Sequence, residues 1–199
     1  KSDTLLYIGY DGKLLGTIGL SDELRLNSKE AIKKLKTLGV KNIVMLTGDI
    51  KDKALKIANE LGIDEVRAEL LPHEKADIVK ELMKQGKKVA FIGDGINDAP
   101  ALISSHVGIS MSKGADIAKA TADISLLKDD INAVVEAKDY ANKTMNLINT
   151  NFNATVGINS GILAGATFGL FSPIITAILH NGTTIGLLLN SIKGVNIRK

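Results

Sequence analysis

Between Leu147 and Ile192 the sequence carries no Lys, Arg, Asp or Glu, and no other feature narrows the fold as far. A charge-free stretch of this length is rare on a soluble surface, where charged side chains cover much of every solvated face. About 45 uncharged residues can hold two membrane-spanning helices, since each span takes roughly 20. The stretch is broken by Gly169-Leu170-Phe171-Ser172-Pro173, a glycine–proline turn. The expectation is a hairpin of spans over Leu147–Phe168 and Ser172–Ile192, with a soluble helical hairpin as the alternative. The first span is polar, with Asn149, Asn151, Asn153 and Asn159. Its small residues Gly157, Gly161, Ala164, Gly165 and Ala166 suit close packing inside a membrane bundle. A charged helix over Ile131–Lys143 precedes the hairpin, and Lys193, Arg198 and Lys199 follow it. That distribution assigns both ends to the cytoplasmic side.

Before this stretch the pattern alternates between short apolar runs and amphipathic segments. Strands are expected at Leu5–Tyr10, Leu14–Leu20, Asn42–Leu46, Glu65–Ala68, Val89–Ile92, Val107–Ser110 and Ile124–Leu127. Helices are expected at Ser28–Leu38, Asp52–Leu61 and Glu74–Met83, each with apolar residues at helical spacing and a glycine just beyond its end. Such alternation implies an α/β fold with a mainly parallel sheet covered by helices. The chain of 199 residues is long enough for one such domain, residues 1–140, and an appendage, residues 141–199. The absence of Cys excludes disulfides and thiolate metal ligands. A net charge of +3 without a basic block, no Trp and only 4% aromatic residues argue against nucleic-acid binding. Lys1-Ser2-Asp3-Thr4 opens no apolar run of signal-peptide type.

Chemistry concentrates at Gly93-Asp94-Gly95-Ile96-Asn97-Asp98-Ala99-Pro100-Ala101-Leu102, directly after the apolar run Val89–Ile92. A buried strand thus runs into a glycine turn, with Gly93 and Gly95 expected to take backbone conformations that other residues resist. Asp94 and Asp98 fall near the strand's carboxyl end, where open α/β sheets place their ligands. Oxygen donors on a tight turn beside a phosphate suit Mg²⁺, which also removes the repulsion between carboxylates and phosphate. Pro100 suits the start of the helix that follows.

The decapeptide resembles the hinge and magnesium motif of the P-type ATPases, which belong to the haloacid-dehalogenase-like phosphotransferases. Other segments agree, in the family's order. Asp22-Glu23-Leu24-Arg25 is similar to its Asp-x-x-Arg element, Met45-Leu46-Thr47-Gly48-Asp49 to its Thr-Gly-Asp motif, and Lys75 stands where the family keeps a phosphate-binding lysine. The resemblance implies a haloacid-dehalogenase-like sheet, Mg²⁺ and ATP as ligands, and roles for each residue. Asp94 would hold Mg²⁺ directly and Asp98 would act in its outer shell. Asn97 would donate to a phosphate oxygen, Thr47 and the Gly48 amide would cradle the phosphate, and Lys75 would add a point charge. Asp49, Asp22 and Arg25 would lie near ATP and the hinge. Plainer readings stand beside these: Asp49 as a helix cap, Lys75 as a solvated lysine, and Asp22 with Arg25 as a surface ion pair.

The family's phosphorylated aspartate lies in Asp-Lys-Thr-Gly-Thr, a string this sequence lacks. The resemblance therefore implies the C-terminal portion of a pump, inactive alone, whose partners are the missing N-terminal portion, a membrane, ATP and a transported ion. Two spans after the catalytic part resemble the heavy-metal branch. Its copper members carry Tyr-Asn and Met-x-x-Ser-Ser where this chain has Ile158-Asn159 and His180-Asn181-Gly182-Thr183-Thr184. Imidazole and hydroxyl donors suit borderline divalent ions of the cobalt or zinc kind better than Cu(I). His180 and Thr184, with Asn159 on the neighbouring span, are the candidate ligands, and a packing role for His180 is the alternative. Two other readings remain. One is a membrane-anchored phosphatase of the same superfamily, for which Asp3 and Asp11 are the nearest candidate nucleophiles. The other is a non-catalytic fragment that pairs with another chain.

Overall fold

The computed structural model describes residues 4–20, 24, 27–112 and 116–194. Thr4–Tyr10 (β1) and Lys13–Leu20 (β2) form an antiparallel hairpin. Asp11 (φ 48°) and Gly12 (φ 71°) make its turn in the left-handed region, which matches the twist of the flanking strands. Leu6, Tyr7, Ile8, Leu14, Leu15 and Ile18 are all exposed, so neither face of the hairpin is covered among the described residues.

The α/β part follows. Ser28–Thr37 (α1) buries Ala31 and Leu35, Lys51–Leu61 (α2) buries Ala54 and Ala58, and Pro72–Lys84 (α3) buries Ala76 and Val79. Each pair is three or four residues apart and so shares one helix face. Pro72 opens α3, and the Glu74 carboxylate accepts the Leu71 N–H at 2.6 Å, closing that N-terminus. Val44–Leu46 (β3) pairs in parallel with Glu65–Arg67 (β4). Ala90–Gly93 (β5) pairs in parallel with Val107–Ser110 (β6), which pairs in parallel with Ile124–Ser125 (β7).

These parallel strands make two sheets rather than the one expected, β3-β4 and β5-β6-β7. Leu46 of β3 and Phe91 of β5 nevertheless pack on the same cluster, built from Ala76 and Val79 of α3 and Ala101. The two sheets are thus neighbours over one helix face with no ladder joining them. One edge of β3 and one edge of β5 lack a strand partner among the described residues, which leaves backbone donors and acceptors unpaired along both. A second cluster of Leu35, Ile109, Met111, Leu126 and Val134 closes the other side of this part.

Two short helices flank β6: Ala99–Ser104 (α4) and Asp116–Thr121 (α5). Periodicity does not disclose α5, because six residues give fewer than two turns. The pattern after residue 130 differs from expectation too. The charged helix and the first expected span are one continuous helix, Asn132–Thr167 (α6). No glycine or proline lies between Lys143 and Leu147 to interrupt it. Pro173–Gly194 (α7) follows the expected turn, where Gly169 takes φ 72°.

By its contacts the chain divides into Lys1–Glu136 and Ala137–Lys199. Within the second unit α6 and α7 run antiparallel. Asn151 Nδ2 donates to Ser191 Oγ at 2.7 Å, and Asn190 Nδ2 donates to Asn151 Oδ1 at 2.7 Å. Packing is close at both ends of the hairpin: a Cβ on Gly165 would lie 2.3 Å from the ring of Phe171 in the turn, and one on Gly194 would lie 2.5 Å from Leu147. Among the described residues no helix is long and apolar enough to cross a membrane. The two expected spans fold as helices, but their asparagines, together with His180, dilute the apolar surface that a lone span needs.

Candidate functional site

The turn after β5 is built around one carboxylate. Asp98 is buried, and its Oδ1 accepts from Lys75 Nζ at 2.8 Å, an ion pair whose side chains are only 12% and 17% exposed. Its Oδ2 faces the amides of Asp94 (3.4 Å) and Gly95 (3.3 Å). The carboxylate thus ties α3 to the turn and aligns two backbone N–H groups on one oxygen. Such charge-assisted contacts are stronger than neutral ones, and out of water they are screened less.

Gly93 is what makes room for this. A Cβ at that position would lie 2.7 Å from Asp98 Cβ and 2.9 Å from Asp98 Oδ2. The expectation that Gly93 and Gly95 adopt conformations closed to other residues is corrected: neither has positive φ, and Gly95 sits at φ −103°, ψ 161°. Space, not backbone freedom, requires glycine at position 93. The neighbour that matters, Asp98, is five residues ahead in the chain. Gly108 plays a similar part beneath the site, where a Cβ would stand 2.8 Å from the Leu102 carbonyl oxygen. It lets α4 lie directly on β6.

Asp94 and Asn97 are exposed on the same turn. Lys75 and Asp98, expected to act separately on phosphate and on metal, are bonded to each other. The lysine is therefore held at the turn and is not a freely solvated side chain. It retains donor capacity, since an ammonium has three hydrogens and Asp98 takes one.

At the carboxyl end of β3, Thr47, Gly48 and Asp49 form a second polar turn. The Thr47 hydroxyl donates to Asp49 Oδ2 at 3.0 Å and accepts the Asp49 N–H at 3.1 Å. Leu70 N–H donates to the Thr47 carbonyl at 3.0 Å and Glu69 N–H to the Asp49 carbonyl at 2.9 Å, which fixes the loop against the segment entering α3. Gly48 runs close to that segment, with a Cβ there falling 3.3 Å from the Leu70 carbonyl oxygen. The helix-cap reading of Asp49 does not hold: Ile50 occupies the cap position of α2 and no side chain bonds there. Both polar turns thus lie where parallel strands end, and both strands rest on α3. Asp22 and Arg25 lie outside the described residues.

In the hairpin, His180 Nδ1 is 3.2 Å from Asn159 Oδ1, and Thr184 Oγ donates to the His180 carbonyl at 3.1 Å. The His180 ring thus meets the Asn159 amide across the hairpin, while the Thr184 side chain bonds back to its own helix. The Asn151–Asn190–Ser191 cluster was not foreseen as a unit, because helical spacing within one helix does not reveal which residue faces it from the other. No cluster of three or more His, Asp or Glu residues that could hold a metal ion exists among the described residues. Asp11, a candidate nucleophile, is exposed in the β1–β2 turn rather than at the end of a core strand. Asp3 lies outside the described residues.

The haloacid dehalogenase-like hydrolase family matches residues 3–106. Over its whole length the chain is 41% identical to a zinc-exporting P-type ATPase of Mycobacterium marinum and 40% identical to a manganese-exporting P-type ATPase of Mycobacterium leprae, and it spans 27% of the length of each. Among solved structures it resembles a zinc-transporting PIB-type ATPase in the E2.Pi state, with a TM-score of 0.85 and 33% identity over 98% of this chain and 32% of that one. The family match, the parallel α/β architecture and the carboxylate turn at the end of β5 lead to one conclusion: the chain belongs to the haloacid dehalogenase-like hydrolases.

Proposed function

We propose that the chain is the C-terminal part of an ATP-driven heavy-metal pump of the P-type, in which phosphorylation and dephosphorylation of an aspartate drive the export of a divalent transition-metal ion. The observation that carries this reading is the whole-chain likeness to such pumps, which extends through the hairpin as well as the catalytic part. A membrane-anchored phosphatase is disfavoured by Asp11, which caps a hairpin turn. The phosphoryl acceptor then belongs to a segment outside this sequence. The unpaired edges of β3 and β5 over α3 are where a further parallel strand would complete the sheet.

The residues present fit Mg²⁺ and a phosphate. Mg²⁺ takes one or two carboxylates and fills its remaining positions with water and phosphate oxygens, which suits an exposed Asp94 beside a constrained Asp98. Bound there, the ion would neutralise phosphoryl charge as transfer proceeds. Lys75, steered by Asp98, directs its ammonium at the phosphoryl oxygens. Thr47 and the Gly48 amide contribute a hydroxyl and a turn N–H from the neighbouring strand end. Asn97 donates its amide, and Asp49, Asp22 and Arg25 serve the nucleotide side. Phosphoryl transfer depends on such positioning and charge neutralisation more than on covalent help from the protein.

The hairpin contributes His180 and Thr184 to the transport site, with Asn159 facing them from the neighbouring helix, and other spans supply the remaining ligands. Its asparagines and small residues suit the interior of a membrane bundle, where neighbouring helices cover what a lone span would expose to lipid. The catalytic part then lies on the cytoplasmic side. The relatives named as zinc and manganese exporters support a divalent ion over Cu(I). The test is phosphoenzyme formation by the full-length protein across a Mg²⁺ titration. Asp94→Asn should raise the Mg²⁺ requirement far more than Asp22→Asn. Equal effects of the two changes would remove Asp94 from the metal site.

A further inference from the structure

His180 and Asn159 meet through specific atoms. The Asn159 atom that faces the ring is the amide oxygen, 3.2 Å from Nδ1. An amide oxygen accepts hydrogen bonds and cannot donate, so this contact is a hydrogen bond when Nδ1 carries the ring hydrogen. A neutral imidazole has one N–H. The lone pair therefore lies on Nε2, the atom turned away from Asn159. No Asp, Glu, Lys or Arg exists on either helix between Leu147 and Ile192 to offer Nδ1 another partner. The Thr184 hydroxyl hydrogen is spent on the His180 carbonyl, four residues back on its own helix.

We infer that Asn159 is a positioning residue rather than an ion ligand: its amide oxygen holds His180 as the Nδ1–H tautomer and so presents Nε2 as the ligating atom for a divalent transition-metal ion. This rests on the proposed transport site and specifies how the hairpin builds its share of it. Groups that bond the second nitrogen of a ligating imidazole fix its tautomer and ring plane. Asn159 is in place to do so before any ion arrives. The helix pairing does not depend on this contact, because Asn151 bonds both Asn190 and Ser191 at a second level. Eight residues separate Asn151 from Asn159, which at 1.5 Å per residue puts that anchor about 12 Å along the helix.

The experiment is Co²⁺ titration of the full-length protein, followed by the visible absorption of the bound ion. Asn159→Leu should raise the half-saturating Co²⁺ concentration about 10- to 100-fold, the usual cost of losing such an outer contact. Its spectrum at saturation should match wild type, because the ligand set is unchanged. Asn159→Asp keeps an acceptor oxygen toward Nδ1 and should bind Co²⁺ close to wild-type strength with the same spectrum. A changed spectrum at saturation in Asn159→Leu would make Asn159 a ligand and overturn the inference. Unchanged affinity in that variant would also overturn it. An Asn159→Asp variant as weak as Asn159→Leu would mean that the amide donates to the ring, which reverses the tautomer. His180→Ala separates the two levels of the argument. If it binds Co²⁺ as wild type does, the transport site itself is misplaced; if it alone loses the ion, only the role of Asn159 fails.

Discussion

Replacing Gly93 by alanine adds one methyl group where the structure has no space for it. The new Cβ would sit 2.7 Å from Asp98 Cβ, 2.9 Å from Oδ2 and 3.0 Å from Cγ, all well inside van der Waals contact. The Asp98 side chain cannot simply swing aside. Oδ1 is held by Lys75 at 2.8 Å, Oδ2 by the turn amides, and the residue is buried. Either the β5 backbone shifts or the Lys75–Asp98 pair opens. Overpacking of this kind costs about 1–3 kcal/mol. For a protein of this size each kcal/mol lowers the unfolding midpoint by roughly 2–4 °C, so thermal unfolding should fall by about 2–12 °C. Gly95→Ala is the control on the same turn. Its Cβ would meet Asp98 Oδ2 at an ordinary 3.6 Å, and its φ of −103° suits any residue, so its midpoint should move by about 1 °C or less by the same conversion. In the full-length protein Gly93→Ala should also impair phosphoenzyme formation, since Lys75 loses its anchor. The reasoning fails if Gly93→Ala melts with wild type, or if Gly95→Ala is the more damaging change.

Other consequences are open to simple measurement. Leu102 is 1% exposed in the layer between α4 and β6, so Leu102→Ala should cost about 2–5 kcal/mol in denaturant unfolding; a loss well below that range would mean the site collapses around the gap. The Lys36 ammonium, with help from the Ile43 N–H, holds the Asp64 carboxyl below its ordinary value of 3.8. A depressed carboxyl stabilises the fold above its unfolded pKa and loses that contribution as pH falls from 3.8 through the lower folded value. Wild type and Asp64→Asn should therefore differ in unfolding midpoint near neutrality and converge in acid, and a difference independent of pH would contradict the Lys36 contact. The chain by itself should release no phosphate from ATP or a generic phosphomonoester in Mg²⁺; turnover that disappears in Asp11→Asn would revive the phosphatase reading.

Much of the site was legible because it is local. The decapeptide and the apolar run before it place Asp94 and Asp98 at one strand end, and the family resemblance adds Lys75 to them. What escaped the sequence depends on partners distant in the chain. The Lys75–Asp98 bond joins residues 23 positions apart, and nothing in either neighbourhood specifies it. The need for glycine at position 93 likewise comes from Asp98, a side chain that the turn composition does not point to. The single parallel sheet became two because β3 and β5 share a helix face without a strand between them, a gap that periodicity cannot register. In the hairpin the expected break at Gly169–Pro173 stands where it should, yet α6 runs unbroken through residues 144–146, which contain neither glycine nor proline. The cross-helix bonds of Asn151 to Asn190 and Ser191 were out of reach for the same reason as the ion pair.

Metal-stimulated ATP hydrolysis by the full-length protein decides whether this chain completes a pump for divalent transition-metal ions. Zn²⁺, Mn²⁺, Co²⁺ and Cu⁺ would each be titrated against wild type and His180→Ala. The expected result is stimulation by one or more of the divalent ions and its loss in His180→Ala, with Cu⁺ ineffective. Stimulation by Cu⁺ alone, or divalent stimulation untouched by His180→Ala, would contradict it.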